Sequence, residues 1–167
     1  MAILEILQYP DARLAIPAQR VEKIDVATRK LIEDMTETMY AAPGVGLAAS
    51  QVDVHKQIIV IDVSEDRSDL RVFINPEVIR REGLVVNQEG CLSVPGIYDN
   101  VERAESVTVT ALDRNGARFT LNASGLLAAC IQHELDHLQG RMFVEHLSDL
   151  KQNRIRAKLK KRQRKAA

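Results

Sequence analysis

The stretch from Ser124 to Leu138, SGLLAACIQHELDHL, constrains the fold more than any other part of this 167-residue chain. Leu126, Leu127, Ala128, Ala129, Ile131, Leu135 and Leu138 surround His133, Glu134 and His137, so a helix here is apolar on nearly every side and has to be wrapped by other elements. A charged Glu buried between two histidines costs on the order of several kcal/mol unless something pairs with it. A divalent ion with its water is the natural partner. Residues i and i+4 stack on one helical face, so His133 and His137 each present a ring nitrogen to one ion. Glu134 lies beside them as a base toward water rather than as a ligand. The fold around this helix must also deliver a third ligand.

Downstream, Glu145, His146 and Asp149 are available, but they follow the expected helix stop at Gly140 and do not match the spacing of longer HExxH extensions. Upstream, Glu89-Gly90-Cys91-Leu92-Ser93 sets a cysteine after a glycine in a polar-flanked turn between strands, where a thiolate projects into a cleft. Cys91 is favoured, with a downstream acid still open. A third segment, Pro43 to Gln51, is rich in small residues at 44, 46, 48 and 49. It is not a dinucleotide loop, because Ala49 stands at the last position of GxGxxG and no strand is expected to run into it. Small residues there permit close approach of a backbone or ligand, and Gln51 adds one amide donor.

The remaining pattern reads as α+β. Asp25 caps a helix over residues 25–42 with Leu31, Met35 and Met39 on one face, ended by Pro43-Gly44. Residues 57–63 and 71–79 are rich in β-branched side chains and read as strands, with Asn75-Pro76 marking a bend or an edge. Residues 106–123 alternate around Asn115-Gly116, a strong hairpin signal. Ser124 or Asn122 caps the HExxH helix. Mostly antiparallel strands around that central helix, an N-terminal helix and a C-terminal basic helix make up the expected fold.

Nine of the 23 basic residues lie between Lys151 and Lys165 with no acid among them, so a formal charge of zero hides a basic tail with Ile155 and Leu159 as its apolar stripe. Such density suits a polyanion such as ribosomal RNA. One domain is expected, with residues 1–150 catalytic and residues 151–167 a basic helix of the same unit. No apolar run reaches the ~18 residues that span a bilayer, and the start MAILEILQYPDARL does not read as a signal peptide, so a cytoplasmic protein with no membrane partner is expected. Cys91 and Cys130 are then expected as free thiols, Cys130 as a small buried hydrophobe.

GVGLAASQ (44–51), EGCLS (89–93) and QHELDH (132–137), in this order and spacing, closely resemble the peptide deformylases. LQYPDARL, ALDRNG, GLLAACIQHELDHLQG and LSDLKQNRIRAKLKK extend the likeness over nearly the whole chain, toward the Gram-negative type. The resemblance implies hydrolysis of the formyl group from the N-terminal formyl-methionine of newly made polypeptides. It implies a metal held by Cys91, His133 and His137, normally Fe2+, with Zn2+, Ni2+ or Co2+ able to substitute. Glu134 then moves protons, while the Gln51 amide and the Leu92 N–H stabilise the oxyanion. Gly44 and Gly46 wall a slot that admits only a formamide, and Val45, Leu126, Ala129 and Cys130 line an apolar pocket for the methionine side chain. Glu89 and Arg103 resemble an orienting ion pair beside the cysteine loop. Nascent chains and the ribosome, through the basic helix, are the implied partners of a monomer.

Two departures bear on substrate preference: Gly96-Ile97-Tyr98 replaces Glu-Gln-Arg after the cysteine loop, and Asn87 stands where relatives place an apolar residue. The competing readings are an HExxH metallopeptidase that cleaves ordinary peptide bonds and a ribosome-associated factor without catalysis.

Overall fold

The computed structural model describes residues 2–166, and side chains as far as Arg164. Asp25 accepts a hydrogen bond from the Thr28 amide at 2.9 Å and so starts helix α1, Val26–Ala41. Its buried face is Ile32, Met35 and Met39. Seven strands follow: β1 (Gly46–Ala48), β2 (Ile58–Ile61), β3 (Arg71–Glu82), β4 (Val85–Cys91), β5 (Val94–Arg103), β6 (Ser106–Leu112) and β7 (Arg118–Ser124). All strand pairs are antiparallel, in a five-stranded sheet ordered β1-β2-β3-β6-β7 and a separate β4-β5 hairpin. The HExxH helix is α2, Gly125–Leu138, and the chain closes with α3, Asp149–Ala166.

The sheet is covered on both faces, which is why β2 reads as an uninterrupted apolar run. Ile58 and Val60 pack with Met35 and Met39 toward α1, whereas Ile59 and Ile61 pack with Ile131 and Leu138 toward α2. Each such aliphatic side chain, fully buried, contributes roughly 1.5–3 kcal/mol. A second apolar cluster joins Leu7, Val94, Val101 and Phe143 to Ile155 and Leu159 of α3. The basic helix is therefore seated on the β4-β5 side through its apolar stripe. Among the described residues no helix is long and apolar enough to cross a membrane.

Several expectations are corrected in detail. Asn75-Pro76 marks the expected bend, a bulge at Asn75, φ 52°, whose side chain bonds both Val21 backbone groups, but β3 runs on past residue 79 to Glu82. Within the small-residue segment 43–51, Gly46–Ala48 itself forms β1 and Ala49–Val52 a 3-10 turn. Ser124 occupies the N-cap position of α2 without donating or accepting a capping bond, and Asn122 instead pairs with Thr108 across β6-β7. Leu126, expected to be buried, is 60% exposed because the first turn of α2 protrudes into a cleft.

Candidate metal centre

Three elements converge on one point. α2 brings His133 and His137, the end of β4 brings Cys91, and the 3-10 turn after β1 brings Gln51. One ligating atom from each of Cys91, His133 and His137 lies within 4.8 Å of the others, with Cys91 Sγ 3.3 Å from His137 Nε2. The loops are tied together by the N-terminal segment, whose Leu7 amide bonds the Gln51 carbonyl and whose Tyr9 amide bonds the Ser93 carbonyl, both at 2.8 Å. Gln51 is fully enclosed: its Oε1 accepts from the Ala48 amide at 2.9 Å, and its Nε2 donates to Ser93 Oγ at 3.1 Å and faces Cys91 Sγ at 3.5 Å.

Behind the rings lies a chain of ions. Arg103 grips Glu89 with two parallel bonds of 2.8 Å, and Glu89 Oε1 sits 2.9 Å from His133 Nδ1. A carboxylate on Nδ1 leaves His133 Nε2 facing the cluster, the arrangement that fixes the tautomer of ligating histidines. Burial opposes ionisation of Glu89, yet Arg103 and His133 hold its carboxyl down at about 2. Arg103 also donates to Asp136 at 2.7 Å, and Asp136 is 2.9 Å from His146 Nε2. His146 is thus committed to Asp136, and Glu145 and Asp149 lie exposed on the surface, so none of these three supplies the third ligand.

Glu134 Oε1 is buried with no hydrogen-bond partner and lies 4.0 Å from His137 Nε2. Burial pushes the Glu134 carboxyl up to about 7, with Glu89 and Asp136 adding to the rise and His133 and Arg103 opposing it. Burial also drives His137 well below the usual imidazole range, helped by His133 and Arg103. His133 is carried well above that range, against its burial, by Cys91 and Glu89. Such an uneven set of groups, with an orphaned carboxylate oxygen beside one sulfur and two imidazoles, fits a divalent cation. Thiolate and imidazole donors suit iron, zinc, nickel or cobalt rather than magnesium or calcium.

A cleft of about 1310 Å³ opens onto this point, lined by Gly44, Val45, Gly46, Leu92, Leu126, Ala129, Cys130 and Glu134 among others. A β-carbon on Gly44 would stand 2.6 Å from Leu92 Cδ1, and one on Gly46 would stand 2.6 Å from Glu134 Oε2 and 2.8 Å from Cys130 Sγ. The walls therefore meet with no room for a methyl group. Burial raises the Cys130 thiol well above its usual range, so it packs as a neutral apolar group. Asn87 and Tyr98 lie on the outer cleft, Tyr98 65% exposed with its ring over Gly90. Sequence reasoning gave no role to Ser93 or Asp136 and weighed His146 only as a possible third ligand. Asp136, at i+3 from His133 in the motif helix, was the one with a visible signal.

The family model described as polypeptide deformylase matches residues 3–153. The chain is 62% identical over 164 residues to a peptide deformylase of Neisseria meningitidis, covering 98% of each chain. It is 62% identical over 165 residues to peptide deformylase 1 of Burkholderia multivorans, covering 98% of this chain and 91% of that one. A crystal structure of a peptide deformylase from Legionella pneumophila superposes with a TM-score of 0.94 at 50% identity, over 98% of this chain and 96% of that one. The Ehrlichia chaffeensis peptide deformylase in complex with actinonin superposes with a TM-score of 0.95 at 43% identity, over 98% and 99%.

Proposed function

Because the chain belongs to the polypeptide deformylase family, we propose that Cys91, His133 and His137 hold the ion of this metal-dependent enzyme and that Glu134 moves the proton in its reaction. The enzyme removes the formyl group from the N-terminal formyl-methionine of newly made polypeptides and releases formate. The observation that carries the assignment of residues is the meeting of one sulfur and two imidazoles beside a buried carboxylate oxygen that has no protein partner.

A divalent cation bound there supplies positive charge that lowers the pKa of water from about 15.7 toward ~7. Glu134 Oε1, buried with no competing donor, would be the group to accept a proton from the attacking water and return it to the departing amine. We read the Gln51 amide, held by its Ala48 and Ser93 bonds, and the Leu92 N–H as the donors to the oxygen on which charge develops; losing one such donor costs about 10²-fold or more. A formamide carbon carries only hydrogen, so we read the crowding around Gly44, Gly46 and Leu92, where an added β-carbon would collide, as what admits a formyl and disfavours an acetyl group. Val45, Leu126, Ala129 and Cys130 receive the methionine side chain, where one methylene of misfit is worth ~1–3 kcal/mol.

We read the ion as Fe2+, with Zn2+, Ni2+ or Co2+ able to take the same ligands. We read residues 1–150 as the catalytic part of a cytoplasmic monomer, and residues 151–167 as its ribosome-facing helix. Arg154, Lys158, Lys160, Lys161 and Arg164 are exposed on α3 while Ile155 and Leu159 anchor it, which supports docking to a polyanion. Formate release from a formyl-Met-Ala-Ser peptide, beside amine release from its acetyl counterpart, tests the reading. Turnover of the formyl peptide with the acetyl peptide intact is expected, and cleavage of internal peptide bonds would favour the metallopeptidase. The Glu134→Gln enzyme should keep its metal and lose about 10²- to 10⁴-fold in kcat.

A further inference from the structure

We propose that Arg67 is a positioning residue for deformylation, holding the Gly44 carbonyl so that the 43–46 loop keeps the width of the formyl slot. The inference rests on the deformylase reading of the site. A methyl group added to that loop would collide with Leu92, Glu134 or Cys130, so the loop's position bears on what fits beside them. Few bonds fix it. The Gly44 amide donates to the Met39 carbonyl at 2.9 Å, and the Val45 carbonyl accepts from the Asp62 amide at 2.8 Å. The Gly44 carbonyl accepts from Arg67 Nη1 at 2.7 Å. Apart from a 3.9 Å contact from the Cys130 thiol, Arg67 is the only side chain among the described residues that bonds to the backbone of this loop.

The surroundings are built to present this guanidinium. Asp62 is fully buried, and its carboxylate accepts from Tyr40 Oη at 2.7 Å, from the Ser64 amide at 2.9 Å and hydroxyl, and from the Asp69 amide at 3.3 Å. Those bonds shape the turn in which Arg67 takes φ 58°, a conformation uncommon for a residue with a β-carbon. Arg67 then reaches back over the Tyr40 ring, 5.7 Å from its centroid, and also contacts the Asp62 carbonyl at 3.4 Å. No carboxylate pairs with it among the described residues. A charged donor on a carbonyl is roughly twice as strong as a neutral one, so the Gly44–Val45 peptide plane is held against rotation at the cleft wall. When that bond is lost, the loop relaxes outward, substrate is gripped less well and the slot widens, while Glu134 and the metal ligands stay in place.

The test uses the full-length, metal-loaded enzyme as wild type, Arg67→Met, which keeps the stem over Tyr40, and Arg67→Lys, which keeps one charged donor. For a formyl-Met peptide, Arg67→Met should raise KM about five- to tenfold with kcat within about twofold. It should also lower the formyl-over-acetyl rate ratio and speed amide exchange at Val45 and Gly46, and Arg67→Lys should restore part of each change. A fall in melting temperature with KM, selectivity and exchange unchanged would mean a structural role only and overturn the proposal, as would a loss in kcat alone. If Arg67→Met does not fold, Arg67→Lys decides by the same readouts. A wild-type enzyme that releases no formate removes the deformylase reading and this proposal with it; an active wild type with unaltered variants removes only the role of Arg67.

Discussion

Replacing Gly46 with alanine probes the centre with a single methyl group. Gly46 lies in extended backbone in β1, outside the left-handed region, so alanine is tolerated by the main chain and only its β-carbon matters. That atom would stand 2.6 Å from Glu134 Oε2, 2.8 Å from Cys130 Sγ and 3.2 Å from Glu134 Cδ. Restoring ordinary contact at 3.4 Å requires the Glu134 carboxylate to retreat by about 0.8 Å. Sideways escape is limited, since Glu134 is only 3% exposed and packed beside His137. A displacement of about 1 Å in a proton-transferring group costs on the order of 10²-fold in rate. Gly46→Ala should therefore lower kcat for a formyl-Met peptide by about 10²-fold while metal content, measured by elemental analysis, remains at the wild-type level. Gly44→Ala provides the contrast, because its β-carbon meets the end of Leu92, a flexible side chain on the cleft. A Gly46→Ala enzyme within about threefold of wild-type kcat would show that Glu134 need not sit where the structure places it, and the reasoning would fail.

Glu89→Gln should weaken metal binding about 10- to 100-fold, read by chelator competition, because the carboxylate that orients His133 is lost. The wild-type Glu89 carboxyl, held below its ordinary range against burial by Arg103 and His133, contributes stability that is present above pH 4.5 and lost as pH falls toward 2. Denaturant midpoints of wild type and Glu89→Gln should accordingly converge across that window. Leu159→Ala, at a site 2% exposed, should cost roughly 2–4 kcal/mol by denaturant unfolding. Reversing Arg154, Lys158 and Lys161 to Glu should abolish salt-sensitive co-sedimentation with ribosomes while hydrolysis of short peptides continues unchanged.

The long periodic elements were legible in the sequence because their signals are local. Asp25 caps α1, Asn115-Gly116 closes β6-β7, and Gly140, at φ 77°, ends the motif helix region, each by chemistry confined to a few residues. A turn between strands at Cys91 was expected, but the extent of the β4-β5 hairpin was not legible, because Pro95-Gly96 and Asp99-Asn100 punctuate its second strand as if it were a loop. What holds it is long-range: Val94, Ile97 and Val101 pack on Phe143 and α3, and Arg103 pins Glu89 beneath α2. The candidate site was legible for the same reason in reverse. HExxH presents its histidines by helical spacing alone, whereas the approach of Cys91 depends on a hairpin whose sequence does not advertise it. Asp136 escaped notice, and His146 was weighed as a ligand rather than as a partner of Asp136, because Arg103, which both contact, is more than thirty residues away in the chain.

The most direct test of the account is X-ray absorption at the metal edge of enzyme purified without oxygen. One sulfur and two imidazole nitrogens are expected in the first coordination sphere, at about 2.3 Å and 2.0–2.1 Å for a zinc-loaded sample. In Cys91→Ser the sulfur contribution should vanish. A metal bound at full stoichiometry without a sulfur neighbour in the wild type, or one whose sulfur persists in Cys91→Ser, would contradict the Cys91, His133 and His137 centre.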